Sequence, residues 1–328
     1  SREITIEEGK VLPVNIEMCS GRELTLQTDR EGDILYVDGK RVGVSPQKLE
    51  LSYGIHTIRA ERGEQHTEKQ LEVTETGGER VVTLGFGLLS GIRWSSSVTP
   101  KQKEILSRLV GNMVQVEGGR FQMGGTPEQG SDANDWEKPV HEVTLSDYYM
   151  GKYEVRQSEW EAVMGNNPSY FKGDDLPIEQ VSWEDCHEFI GRLNALTGLS
   201  FKLPTEAQWE YAARGGSLSK GYKFSGSNDL EEVGWYGSNS GNYTHRVGEK
   251  QPNELGLYDM SGNVWEWCED KYGEYNITSQ SDPLGAAKGS QWVYRGGCWC
   301  FEASYCRVSF RAHDPGNRYY SVGLRLVL

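Results

Sequence analysis

Two hydrophobic rhythms divide the chain. Through the first ninety or so residues, apolar and polar positions alternate at short intervals, the period of half-buried strands. "DILYVDGKRVG" carries the alternation at Ile34 and Tyr36 and then reaches Asp38-Gly39, the strongest short hairpin signal. "KLELSYGIHTIRAERG" repeats the device, with Leu49 and Leu51, a turn at Tyr53-Gly54, then Ile55, Thr57 and Arg59. "KQLEVTET" and "RVVTLGF" supply two further short strands. No helix-period segment lies among them, so residues 1–94 are expected to form a small all-β sandwich-like domain. "SSSVTPKQKEILSRLV" follows, a Ser-rich break and then helical charge patterning. Residues 95–112 are read as a linker whose end docks on the next domain.

The rhythm then changes. "NMVQVEGGRFQMGG" reads as strand, Gly-Gly turn, strand, and "LSDYYMGKYEVRQSEWEAVMG" passes from strand to helix at about Arg156. "SWEDCHEFIGRLNALTG" is the clearest helix: Ser182 is a good N-cap and Asp185 sits three residues on. Cys186, Phe189, Ile190, Leu193 and Leu196 make its apolar stripe, and Gly198 ends it. "LPTEAQWEYAARGG" is a second capped helix, from Thr205 to Gly215. Beyond it come loops and short strands, ending in "VGLRLVL", an alternating strand. Residues 113–328 are therefore expected to form a mixed α+β domain.

Composition narrows the function. At 328 residues the chain is long enough for two domains with cores of their own. Forty glycines and 10 tryptophans at 36% apolar content point to loop-rich folds with aromatic cores rather than helical bundles. A formal net charge of −14 argues against nucleic acid or an anionic membrane as partner. No apolar run is long enough for a transmembrane helix. The chain starts at Ser1 without Met, from which removal of an N-terminal segment is expected. Six cysteines (Cys19, Cys186, Cys268, Cys298, Cys300 and Cys306) are too few and too clustered for a disulfide scaffold. "GNNPSYF" and "DKYGEYNITS" read as surface loops, and "EQGSDANDWE" as a solvated acidic face.

Several motifs, taken in order, carry a resemblance. "MVQVEGGRFQMGG", "PIEQVSWEDCHEFI", "KLPTEAQWEYAARGG", "GLYDMSGNVWEWCED", "RGGCW", "CRVSFR" and "GLRLVL" together resemble the formylglycine-generating sulfatase-modifying domain. The resemblance covers nearly all of Met113 to Leu328 and implies a C-type lectin fold. The stretch from about Gly32 to Phe86 resembles the PEGA module of bacterial surface proteins. Enzymes of the first family use two cysteines to hold copper and activate oxygen. Cys306 in "ASYC" matches the second, but the position five residues earlier is Phe301, with Cys300 one residue off. A copper-dependent cysteine oxidase and an inactive enzyme-like surface scaffold are thus the alternatives to the leading reading. A zinc site from Cys298, Cys300, Cys306 and His313 has poor spacing, and a Cys300–Cys306 disulfide is sterically open.

What remains of "CWCFEASYCRVSFRAHDP" is a skeleton, "RGG.W...A..CRVS.R....P..R....GLRLVL". It resembles the variable region of proteins diversified by retroelements, whose C-type lectin domains display a mutable ligand-binding surface at about 298–321. That resemblance implies mutation at template adenines, whose codon products exclude Lys, Gln, Glu, Met and Trp. The interspersed positions are Cys298, Cys300, Phe301, Ser304, Tyr305, Phe310, Ala312, His313, Asp314, Gly316, Asn317, Tyr319, Tyr320 and Ser321, and they obey the rule. Glu302 breaks it and is read as fixed. Trp299, Cys306, Val308, Pro315 and the terminal strand would carry packing. Tyr319 and Tyr320 cannot both face one core if extended, so one at least should be exposed. The formylglycine enzymes also imply a structural calcium loop at "YDMSGNVWEW", with Asp259 and Glu266 as carboxylates and Gly262 and Val264 as carbonyl donors. The other reading of that loop is a turn capped by Asp259 in which Trp265 and Trp267 pack. No cofactor is required, and one Ca2+ is the single ion considered. The expectation is a monomeric bacterial cell-surface or outer-membrane protein, lipid-anchored through the removed segment, that binds a variable macromolecular ligand (a protein) without catalysis.

Overall fold

The computed structural model describes residues 21–28, 31–63, 65–75, 80–85 and 87–328. Cys19, the rest of residues 1–20, and Phe86 lie outside them. The chain forms two compact units, Ser1–Ser90 and Gly91–Leu328.

Seven strands build the described part of the first unit: β1 (Gly21–Thr28), β2 (Ile34–Val37), β3 (Lys40–Val44), β4 (Gln47–Ser52), β5 (Gly54–Arg62), β6 (Gln65–Val73) and β7 (Val81–Leu84). They make two sheets, ordered β4-β1-β7 and β3-β2-β5-β6. Asp38 and Gly39 both have positive φ, 49° and 76°, which a two-residue turn matched to strand twist requires. The Tyr53-Gly54 turn departs from expectation. β4 pairs with β1 and β5 with β2 and β6, so this turn passes the chain from one sheet to the other and closes no hairpin. The expected inward face is also inverted. Leu35, Val37, His56, Ile58 and Ala60 are buried, whereas Ile55 is 69% exposed. Both faces of these strands carry apolar residues, and a one-residue shift of register exchanges them.

The second unit begins with α1 (Pro100–Gly111), inside the segment expected to be a linker. Thr99 and Gln102 form a capping box, Leu106, Leu109 and Val110 are buried, and Gln102 Nε2 donates to the Ala162 carbonyl at 2.8 Å. The linker expectation is therefore corrected, since most of residues 95–112 belong to the folded unit. β8 (Met113–Val116), β9 (Gly119–Met123), β10 (His141–Leu145) and β11 (Tyr148–Gly151) follow, then α2 (Gln157–Met164), α3 (Trp183–Thr197), α4 (Glu206–Ala213) and α5 (Leu230–Val233). The remaining strands are β12 (Trp265–Lys271), β13 (Gln280–Ser281), β14 (Trp292–Arg295), β15 (Arg311–Asp314) and β16 (Val322–Gly323). Their sheets run β13-β10-β9, β11-β8 and β15-β14-β12-β16.

The helices follow local chemistry. Ser182 Oγ accepts from Asp185 N at 3.0 Å, Asp185 accepts from Ser182 N at 2.8 Å, and Gly198 closes α3 at φ 70°. Phe189 of its buried stripe stacks on Trp160 at 4.8 Å. Residues 322–328 are not one alternating strand. Val322 to Val327 are buried in succession, β16 is two residues long, and Leu328 exchanges backbone hydrogen bonds with Tyr149.

Between β14 and the C-terminus little regular ladder exists, and buried ion pairs hold the chain instead. Arg307 meets Glu137 through two bonds of 2.7 and 2.8 Å, and Arg311 meets Glu206 at 2.6 and 2.8 Å. Arg325 meets Glu266 at 2.7 Å, and Arg295 pairs with Glu210. All four arginines are 0–3% exposed. Paired guanidinium and carboxylate forks fix direction as well as distance. Glu137 corrects the expectation of a solvated acidic face at "EQGSDANDWE", for it is fully buried together with Gln129.

Candidate functional site

β14 ends at Arg295, and Gly296 and Gly297 turn the chain with φ of 101° and 76°. A Cβ at Gly297 would lie 2.5 Å from Cys306 Sγ, so the close approach requires glycine. Cys298–Phe301 then form a turn, Ala303–Cys306 a single tight helical turn, and Arg307–Phe310 lead into β15. Asp314 Oδ1 accepts from the backbone N–H of Gly316 and Asn317 and folds the chain back toward β16.

Burial sorts this segment. Trp299, Cys306, Arg307, Val308, Ser309 and Arg311 are buried, whereas Phe301, His313, Asn317, Tyr319 and Tyr320 are exposed. Cys300, Ser304, Tyr305, Ala312 and Asp314 lie between. Four expected surface positions are corrected: Cys298, Phe310, Gly316 and Ser321 are buried. Phe310 lies within 5.9 Å of Trp265 and 4.8 Å of Tyr305, and Gly316 sits under Trp183 and Trp292. Pro315, expected to pack, is exposed, and so are both Tyr319 and Tyr320.

The exposed rings fall into neighbouring groups. Phe301 and Tyr305 approach to 5.0 Å above Trp265. Tyr319 donates to Asp314 at 2.7 Å. Tyr320 packs at 5.7 Å from Trp299 and 6.4 Å from Tyr170, which meets Phe171 edge-on. His313 is apart from these, its ring tilted against Tyr272 at 3.9 Å. Tyr170, Phe171, Asn242 and Tyr294 were not singled out by the sequence. The adjacent aromatic pair in the polar loop "GNNPSYF" was the available signal.

The thiols are arranged unevenly. Cys298 and Cys300 Sγ lie 3.3 Å apart. The hydrogen bond from Cys298 holds the half-buried Cys300 thiol below its ordinary pKa, while burial raises Cys298 and pushes Cys306 up to about 12. Cys186, Cys268, Cys298, Cys300 and Cys306 are all free, so no Cys300–Cys306 bridge forms. His313 lies against Tyr272, and among the described residues no cluster of three or more acidic, histidine or cysteine side chains could hold a metal.

The calcium loop meets the same limit. Both Glu266 oxygens face Arg325, and Oε2 also accepts from Trp209 Nε1 at 2.6 Å. Asp259 Oδ2 accepts from Gly248 N, which leaves Oδ1 buried and unpartnered. Gly262 spends its N–H on the Gly296 carbonyl. Val264 donates to Glu154, a third carboxyl facing the same arginine. With Glu266 committed to Arg325 and Trp209, these residues as placed do not fit a calcium ion. They form a buried acid cluster built on one guanidinium. Burial raises Glu154 well above the carboxylate range and Asp259 to about 6.

Comparison with known proteins agrees with this architecture. A chaperone protein, LppX, of Paenibacillus barcinonensis is 35% identical over 232 residues, 56% of this chain and 79% of the relative. The formylglycine-generating enzyme of Thermomonospora curvata is 27% identical over 287 residues, 65% of this chain and 92% of the enzyme. Among solved structures, Treponema denticola variable protein 1 superposes with a TM-score of 0.59 at 35% identity, covering 66% of this chain and 94% of that one. Residues 99–328 match the sulfatase-modifying factor enzyme 1-like domain, and the chain belongs to that family.

Proposed function

We propose that the second unit displays a retroelement-diversified ligand-binding surface at about 298–321 and acts without catalysis. The burial pattern carries this reading. Residues that hold the segment in place are buried in ion pairs and core, while most of the interspersed positions reach the surface. Such a division lets side chains change with little effect on the scaffold. Tyr305, Tyr319 and Tyr320 offer large contact area at low entropy cost, as in antibody paratopes. The similarity to the treponeme variable protein supports the same reading, with a protein as the expected ligand. Phe301, where the family's oxidases need a thiol, argues against oxygen activation. The first unit is read as a PEGA-like module, and the chain as a bacterial surface protein.

Sequencing the surrounding locus tests the proposal. A near-identical repeat beside the gene, with adenines at the codons for Cys300, Phe301, Tyr319 and Tyr320, is the expected result. Its absence, with one invariant sequence across isolates, would refute diversification. Oxidation of a thiol peptide by the protein loaded with Cu(I) would refute the non-catalytic part.

A further inference from the structure

Beside the varied positions lies a cavity of about 450 Å³ lined by Tyr170, Phe171, Asn242, Trp299 and Tyr320. Of these, Tyr320 alone belongs to the proposed variable set. The rings meet at steep angles: 90° for Tyr170 with Phe171, 90° for Phe171 with Trp299, and 51° for Tyr170 with Tyr320. No two of these rings stack face to face, and all four line the cavity.

We infer that this cavity is a fixed subsite for a quaternary ammonium group. The inference rests on reading this face as a ligand surface, and not on diversification. Aromatic faces attract cations through the ring quadrupole, and cages of several rings suit alkylated ammonium ions. The hydrogen-bonding character of the walls points the same way. Trp299 Nε1 already donates to the Tyr320 carbonyl at 3.2 Å, so the indole offers its ring and no donor. Apart from the two phenol hydroxyls, Asn242 is the single polar side chain in the lining. A primary ammonium or a guanidinium would lose hydration there with few acceptors in return, whereas an alkylated ammonium needs none.

A buried carboxyl fixes the backbone behind the wall. Glu179 is fully buried and accepts from Phe171 N at 2.9 Å, on the backbone that carries two of the rings, and its Oε2 has no partner. Burial raises its pKa to about 7, so the aromatic faces, and not a full negative charge, attract the cation. The chain's net charge of −14 disfavours an anionic ligand surface and leaves a zwitterionic one open.

Calorimetric titration of the full chain with choline tests the inference, with dimethylbutanol as its uncharged carbon isostere. Choline should bind at least tenfold tighter than the alcohol. Tyr170→Leu and Tyr320→Leu, at residues 70% and 49% exposed, should each weaken choline at least fivefold without loss of folding. Tyr170→Phe, which keeps the ring, should retain binding, and Ile277→Ser, at a residue 75% exposed and outside the proposed variable segment, should leave it unchanged. Recruitment to phosphatidylcholine vesicles but not to phosphatidylglycerol vesicles would identify a lipid headgroup as the source. Choline binding without recruitment would identify a free ion, and either result supports the subsite. Equal affinity for the alcohol, or no binding of choline at millimolar concentration, overturns it. A locus without a template repeat leaves the subsite standing if choline binds. A repeat without choline binding removes the subsite alone.

Discussion

Trp299 and Phe301 are two residues apart and answer to different constraints. Trp299 is 7% exposed and packs on Phe171 and Tyr320, while Phe301 is 40% exposed. Replacement of Phe301, Tyr319 or Tyr320 by Ser should change stability by about 0.5 kcal/mol or less, as exposed positions do. Trp299→Ser should cost roughly 3–5 kcal/mol, and Phe310→Ser, at a buried position, should approach that cost. Urea denaturation separates the two classes, and a large loss at Phe301, Tyr319 and Tyr320 alike would contradict a tolerant surface. The thiols give a second contrast at this scale. Iodoacetamide should alkylate Cys300 before any other described cysteine, since it alone is half-exposed and has its pKa lowered, by the hydrogen bond from Cys298. Peptide mapping after partial reaction reads the order, and earlier labelling of Cys298 or Cys306 would count against the arrangement.

Secondary elements differ in how much of them local sequence determines. α3 is legible because its cap, its stripe and its terminal glycine are all within one short stretch. The strands of the first unit are legible as strands but not in their facing. Ile34 and Leu35, or Tyr36 and Val37, compete for the same core, and the opposing sheet decides. The binding segment was legible as a skeleton of fixed residues, but its supports were not. Arg307 finds Glu137 across 170 positions, and Arg311 finds Glu206 across 105. Nothing near either residue announces the pairing, so a stretch rich in acid read as solvated. These supports lead to a prediction. Removing one partner leaves a buried charge without compensation, at a cost of roughly 3–5 kcal/mol. Glu137→Gln should destabilise the second unit by about that amount, while Glu142→Gln, on the more exposed Arg120 pair, should be nearly neutral. Equal effects of the two would mean that the fork contributes nothing special.

At the scale of the whole molecule, buried carboxyls set the response to pH. Burial raises Asp270 to about 8, Glu179 to about 7 and Asp259 to about 6, against an unfolded range near 4. For each, the folded protein binds more protons than the unfolded chain between the two values. Their contribution to stability is fully present below the unfolded pKa and is lost as pH rises through the folded one. Glu137 and Asp185 act oppositely. Their folded pKa values are lowered despite the opposing effect of burial, through hydrogen bonds led by Arg307 and Arg318 respectively. Their contribution is present above the unfolded range and disappears as pH falls below it. The two sets together place the stability maximum on the acid side of neutrality, near pH 5. The melting temperature should then decline steadily from about pH 5 to pH 9, and the net charge of −14 steepens the fall through self-repulsion. Asp270→Asn retains the oxygen that accepts from Glu206 N and removes the titration. That variant and Glu179→Gln should each flatten the alkaline decline while leaving the acid limb in place. Thermal melts across this range decide the matter. A parent whose melting temperature rises from pH 5 to pH 8 would show that these carboxyls are ionised in the folded protein, with partners of their own.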